Sequence, residues 1–200
     1  MGTLIVNQYL SKLWTPAEMT TALWLDAVDS GTISTYLDGD GVTIRVNQWN
    51  DKSGSNNHAV SNSEDPIYTL DGINGIPVIL FNKDMLKFAN RLLTSSQFTI
   101  FCVCDANPQV NATLYSQHDG TASIGRTVIG FDSNGTFRLF FNNGTSYNLV
   151  SSNSRINGLP NLLGWSSDGA GNSYLQYNGI PDGSLLGVNW TPLDTFGRLN

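Results

Sequence analysis

Charge is scarce in this sequence. Asp, Glu, Lys and Arg make up 13% of its 200 residues, about half the share of an average soluble domain. Glu occurs twice and Lys four times, so the straight-chain charged residues that populate exposed helix faces are missing. That argues against a mainly helical protein. Lys and Arg are scattered, the net charge is −6 and the pI about 4.6. Without a basic stripe to displace counterions from phosphates, nucleic acid is not expected as a partner. No apolar run approaches the roughly 18 residues that cross a bilayer, so no membrane role is expected. The opening MGTLIVNQYLSKLW lacks a basic leader, and Gln8 and Tyr9 interrupt its apolar part. Val6 stands where N-myristoylation requires Ser or Thr. The expectation is a protein made and used without secretion.

Cysteine is nearly absent too. Cys102 and Cys104 share the strand-like run FTIFCVCDA, where residues two apart point to one face and the intervening residue keeps the backbone extended. A strain-free bridge between them is not expected, and no CxxC or His-rich partner accompanies them. They read as two small buried thiols. A chain of this length buries roughly 70% of its unfolded surface as one domain and needs no such staple.

What fills the space is Asn (22), Ser (20), Thr (17) and Gly (20), all uncharged and turn-friendly. Asn-Gly begins at 74, 134, 143, 157 and 178, and Asp-Gly at 38, 40, 71, 119, 168 and 182. These dipeptides tolerate the positive φ of tight hairpins. Between them lie short runs rich in β-branched and aromatic residues: PVILF (77–81), QFTIFCVCDA (97–106), TLYSQ (113–117), RTVIGFD (126–132), TFRLFFN (136–142), NLLGWSS (161–167) and NSYLQYN (172–178). Two pairs read as hairpins, GFD-SNG-TFRLFF and FRLFF-NNGT-SYNLV. Many short strands at this spacing predict an antiparallel sandwich or barrel. Helix is expected once, where Thr15, Pro16 and Glu18 fit a capping box running to about Thr21. Residues 1–16 form an arm and 17–200 the domain.

The blocks LWLDAVDS (23–30), VNQWNDKSGSNNHAV (46–60), PIY (66–68), GINGIPVILFN (72–82) and QFTIFCVC (97–104) resemble the laminin-G-like, concanavalin A-like jelly-roll domain, in the version found in bacteriophage tail and capsid-surface proteins. The resemblance runs from about residue 17 to the C-terminus, and WNDKSGSNNHA is its most specific piece. It implies an all-β, two-sheet antiparallel jelly-roll sandwich on a virion surface, as a capsid decoration, head-fibre or tail-fibre component assembled in the host cytoplasm. The implied partners are other virion proteins, further copies of the chain and a host surface glycan. A bacterial cell-surface or secreted lectin-like module is the alternative. In the family a stretch like FGRLN (196–200) is followed by closing strands, so an incomplete sheet edge is expected at the C-terminus, together with attachment through Leu4, Ile5, Val6, Tyr9 and Leu10 of the arm.

Candidate site residues follow. Asp51, Ser53, Gly54, Asn56 and His58 read first as a polar turn of Asx and Ser type, with a metal or glycan role as the alternative. Related domains hold calcium with carboxylates and carbonyls, and Asp26, Asp29 and Asp51 are the candidate ligands. Calcium takes six to eight oxygens, and three named donors do not complete that shell. Trp24 and Trp49 read as core. Trp165, Tyr174, Tyr177 and Trp190 lie nearer loops, where an aromatic face could stack on a sugar ring; packing is the alternative. The Asn-x-Ser/Thr sequons at Asn111, Asn134, Asn143 and Asn189 are what such loops produce by chance. No strand carries the Glu-x-Asp-x-x-Glu triplet of the related hydrolases, the two Glu being Glu18 and Glu64. Retaining glycosidases need two carboxyl groups about 5–5.5 Å apart, so no catalysis is expected.

Overall fold

A computed structural model describes residues 15–62, 65–105, 112–118, 124–152, 158–192 and 197–199. The apolar arm, Glu64 and Asn111 lie outside the described residues. Among the described residues, helix is confined to two 3-10 turns, Pro16–Glu18 and Ser30–Thr32. The capping box is not made. Thr15 forms no side-chain cap bond, and Met19 is already extended at φ −130°, so the turn stops after three residues.

Strands follow in chain order: β1 (Ile33–Leu37), β2 (Ile44–Trp49), β3 (Ala59–Ser61), β4 (Ile67–Ile73), β5 (Ile76–Leu80), β6 (Leu86–Phe88), β7 (Gln97–Cys104) and β8 (Thr113–Gln117). Then come β9 (Thr127–Phe131), β10 (Phe137–Asn142), β11 (Ser146–Val150), β12 (Asn161–Asp168), β13 (Ser173–Tyr177), β14 (Ile180–Leu185) and β15 (Gly197–Leu199). They form two antiparallel sheets. The larger runs β11-β10-β9-β8-β15-β6-β3-β2-β4-β5 with β1 against β2; the smaller runs β14-β13-β12-β7. The seven strands read from the sequence are all present, and both hairpins form as β9–β10 and β10–β11. At the β4–β5 and β13–β14 turns Asn74, Gly75, Asn178 and Gly179 all take positive φ, the geometry for which Asn-Gly is chosen.

The core lies between the sheets. Phe137, Leu139 and Phe141 alternate inward from β10, and Leu163, Trp165 and Leu175 face them from the smaller sheet. Each such side chain contributes about 1.5–3 kcal/mol by burial. Close strand passage fixes small residues: a β-carbon on Gly130 would run into the Ala112 carbonyl, and one on Gly197 would come within 2.6 Å of the Tyr115 oxygen.

The expected open edge at the C-terminus is corrected. Residues 197–199 form β15, which pairs with β8 on one side and β6 on the other. It lies mid-sheet, and β7 ends the smaller sheet instead.

Candidate functional site

Alternation along the smaller sheet divides its residues cleanly. Phe98, Ile100, Cys102 and Cys104 of β7 pack against the core. Gln97, Thr99, Phe101 and Val103 face out. The β7–β12 register sets Val103 beside Leu162, Phe101 beside Gly164 and Thr99 beside Ser166. The β12–β13 register continues these rows to Gln176 and Tyr174.

The outer face thus carries two exposed rings, Phe101 (57% exposed) and Tyr174 (39%). Gly164 makes room between its neighbours: a β-carbon there would meet Phe101 Cε1 at 3.1 Å and Gln176 Cβ at 3.2 Å. At the Tyr174 end the surface dips into an open depression of about 460 Å³, lined by Gln97, Thr99, Ser166, Asp168 and Tyr174 among others. Asp168 is committed to the adjoining turn. Its Oδ1 accepts from Ala170 N–H (2.8 Å) and Asn172 N–H (3.0 Å), and its Oδ2 from Asn172 Nδ2 (2.7 Å). The Asn172 side chain, then these amides, hold its carboxyl below the usual range. What remains free on this face are the two rings, the aliphatic side chains of Val103 and Leu162, and hydroxyls and amides. That is the chemistry of a neutral, hydroxyl-rich ligand: apolar stacking beneath and hydrogen bonds at the rim.

Of the four aromatic candidates, one belongs to this face. Trp165 is buried, 1% exposed; its Nε1 donates to the Arg138 carbonyl (3.0 Å) and its ring meets Phe137 edge-on at 5.6 Å. Trp190, 5% exposed, stacks on Phe141 at 4.8 Å and meets Phe98 edge-on. Tyr177 turns inward, donating its hydroxyl to Asn161 Oδ1 (2.6 Å) and lying tilted beside Phe137. These three fill space between the sheets and cannot stack on a sugar outside. Tyr174 keeps the role open. Phe101, Gly164 and Gln176 were missed, although the period-two run QFTIFCVC already divided Phe101 and Val103 from the cysteine face.

The three aspartates do not converge. Lys52 Nζ sits between Asp26 (2.9 Å) and Asp29 (2.7 Å) and 4.5 Å from the Trp24 ring centroid. Lys52 holds the Asp29 carboxyl below its ordinary value, and Asp29 and Asp26 raise the ammonium in return. A cation is therefore already supplied by the chain. Asp51 points elsewhere: Oδ1 accepts from Trp24 N–H (2.9 Å) and Ser53 N–H (2.8 Å), Oδ2 from Ser53 Oγ (2.7 Å) and Asn57 N–H (3.0 Å). Among the described residues, no group of three or more His, Cys, Asp or Glu is placed to hold a metal ion.

The polar turn after Trp49 is a clamp. Asp51 N–H donates to His58 Nδ1 (3.1 Å), Ser55 Oγ to the Thr21 carbonyl, and Asn57 Nδ2 to the Ala22 carbonyl. Gly54 and Asn56 take the positive φ this needs. Cys102 and Cys104 are free thiols. Their mutual hydrogen bond, then burial, pushes the Cys104 thiol up.

The fold defines the class, an all-β protein of two packed antiparallel sheets. No protein-family model and no curated protein matches the sequence. Among solved structures, a similar fold occurs in the binding domain of Paraclostridial Mosquitocidal Protein 1, with 12% identity and a TM-score of 0.59, over 84% of this chain and 44% of that one. This chain spans less than half of that chain's length, and at such identity the likeness shows the fold alone.

Proposed function

We propose that this chain is a non-catalytic, lectin-like binding module that holds a glycan on the outer face of its smaller sheet, carried on a virion surface as a decoration, head-fibre or tail-fibre component. The observation that carries the glycan reading is the pair of exposed rings, Phe101 and Tyr174, beside Gly164 and Gln176 on one sheet face. Sugar C–H faces would lie on the rings, and Gln97, Thr99, Ser166 and Gln176 would bond the hydroxyls. The virion context rests on the sequence blocks at 23–30 and 46–60. A neighbour described as a binding domain agrees with a binding role.

Glycan-array binding followed by calorimetry tests this reading. Tyr174→Ala and Phe101→Ala should each weaken binding at least about tenfold, or 1.4 kcal/mol, with the circular dichroism spectrum unchanged. A wild-type protein that binds no glycan, or one whose affinity ignores both substitutions, overturns it. Immunogold labelling of intact particles tests the virion assignment, and particles that carry no label sink it.

A further inference from the structure

Among the described residues, β7 ends the smaller sheet and no strand pairs with its far side. In an antiparallel ladder alternate residues turn their main-chain groups to opposite sides. On β12, the Leu162 N–H donates to Asn178 Oδ1 and the Leu162 C=O accepts from the Asn178 N–H (both 2.8 Å), so Leu162, Gly164 and Ser166 bond toward β13. Leu163 and Trp165 then bond toward β7, where they face Cys102 and Ile100. Thr99, Phe101 and Val103 therefore aim their N–H and C=O groups away from the sheet. Gln97, next in that series, is capped at both groups by the Ser95 hydroxyl (3.2 and 2.9 Å). Among the described residues, nothing bonds to the outward groups of the other three.

Open edges are normally blunted by proline, charge or a bulge. β5 carries Pro77. β14 carries Pro181 and Asp182 and a register shift against β13. β11 is crossed by β14, with Gly183 against the Val150 carbonyl. β7, QFTIFCVC, has no proline, no charge and an unbroken register.

We propose that β7 is a self-pairing edge, joining two copies of this chain antiparallel about a two-fold axis beside Phe101. Paired residues share a face, so outward residues must oppose outward residues. Centring on Phe101 sets it opposite the partner's Phe101, and Thr99 opposite the partner's Val103. All three open N–H and all three open C=O groups of each copy are then satisfied. Centring one residue earlier opposes Val103 to the capped Gln97; one later opposes Thr99 to Asp105, beyond the strand. On the inner face Ile100 meets the partner's Cys102, and Phe98 the partner's Cys104, so the apolar row continues. The occupant is a second copy because the edge complements itself, uncharged against uncharged, donor for acceptor. The eight strands would form one sheet, with the two Tyr174 Cα positions five strand spacings (about 24 Å) apart across it and four residues (about 13 Å) apart along it, or about 28 Å in all.

The mass of the full chain in solution, read without any glycan, tests this independently of the proposed ligand. Light scattering at micromolar concentration should give twice 21.7 kDa. Phe101→Lys, which opposes two ammonium groups, should give the monomer with an unchanged circular dichroism spectrum. Phe101→Cys should cross-link under mild oxidation, because directly opposed Cα atoms lie about 5.5 Å apart; Tyr174→Cys should not. A monomeric wild type, a dimer that survives Phe101→Lys, or a dimer in which Phe101→Cys fails to cross-link overturns the proposal. So does a dimer lost only on removal of residues 2–12, which would place the contact in the arm.

Discussion

Gln117 and Leu93 hold each other by two hydrogen bonds: Gln117 Nε2 donates to the Leu93 carbonyl (2.9 Å), and Leu93 N–H donates to Gln117 Oε1 (3.1 Å). Gln117 is fully buried, and the Tyr115 hydroxyl adds a third bond to Oε1 at 2.7 Å. The pair fastens the segment leading into β7 onto β8 of the opposite sheet. An amide matches a main-chain N–H and C=O together, which no aliphatic side chain can do.

Gln117→Leu should therefore destabilise the protein by about 2–4 kcal/mol, because it strands two main-chain groups and a phenol in the interior. Urea unfolding reads this as a lower midpoint at unchanged slope. A loss under about 0.5 kcal/mol would show that the interior supplies other partners.

Burial and surface should separate the aromatic candidates. Trp190→Ala, which empties the space between Phe141 and Phe98, should cost about 3–5 kcal/mol. Tyr174→Ala should stay within about 0.5 kcal/mol. Thermal unfolding of the two variants side by side decides it; equal losses would mean Tyr174 also supports the fold.

Asp51 should make stability fall in acid. Burial, the largest influence, favours its neutral form, but the bonds from Trp24, Ser53 and Asn57 together outweigh it and hold the carboxyl below 3.8. A depressed folded-state value stabilises above the unfolded pKa and is lost as pH drops through the folded one. Asp40, lowered to about 2 chiefly by the Thr43 hydroxyl, acts in the same direction. Denaturant midpoints should fall progressively as pH drops below 3.8 toward about 2. In Asp51→Ala the decline should be shallower, from a neutral-pH stability already lower by about 2–4 kcal/mol. An equally steep decline in the variant would remove Asp51 from the account.

Glycan binding, on the proposed reading, should barely respond to pH or salt. The face offers rings, hydroxyls and amides, and its carboxylate, Asp168, is engaged in its own turn. Calorimetry from pH 5 to 8, and across a roughly tenfold range of salt, should change affinity less than about twofold. A steep salt dependence would mean that charge carries the contact.

The strands were legible because turn dipeptides punctuate them and alternation marks their length; β8, for instance, coincides with the run TLYSQ. Their insides and outsides were harder to read. In NLLGWSS both faces hold apolar residues, and only the pairing of Leu163 with Cys102 and Tyr177 shows that Trp165 points inward. The Thr15 box failed because propensity cannot carry a turn past Met19, where the chain extends. The arrangement of the aspartates was not legible for another reason: spacing along the chain could not reveal that Lys52 lies between two of them. The polar turn at Asp51 was readable because Asx chemistry is local.

β15 has a consequence for synthesis. Leu199 pairs with Leu86, which precedes it by more than half the chain, and on its other side with Tyr115. Three residues act as the keystone between β1–β6 and β8–β11. On the ribosome they emerge after every other strand described here, so each flank of the larger sheet must wait with a raw margin, β6 on one side and β8 on the other. Closure is then a late, long-range event, and such pairings form slowly. Nascent chains stalled before residue 197 should be the forms that most need a chaperone, and releasing them by a few further residues should set the moment at which they become protease-resistant.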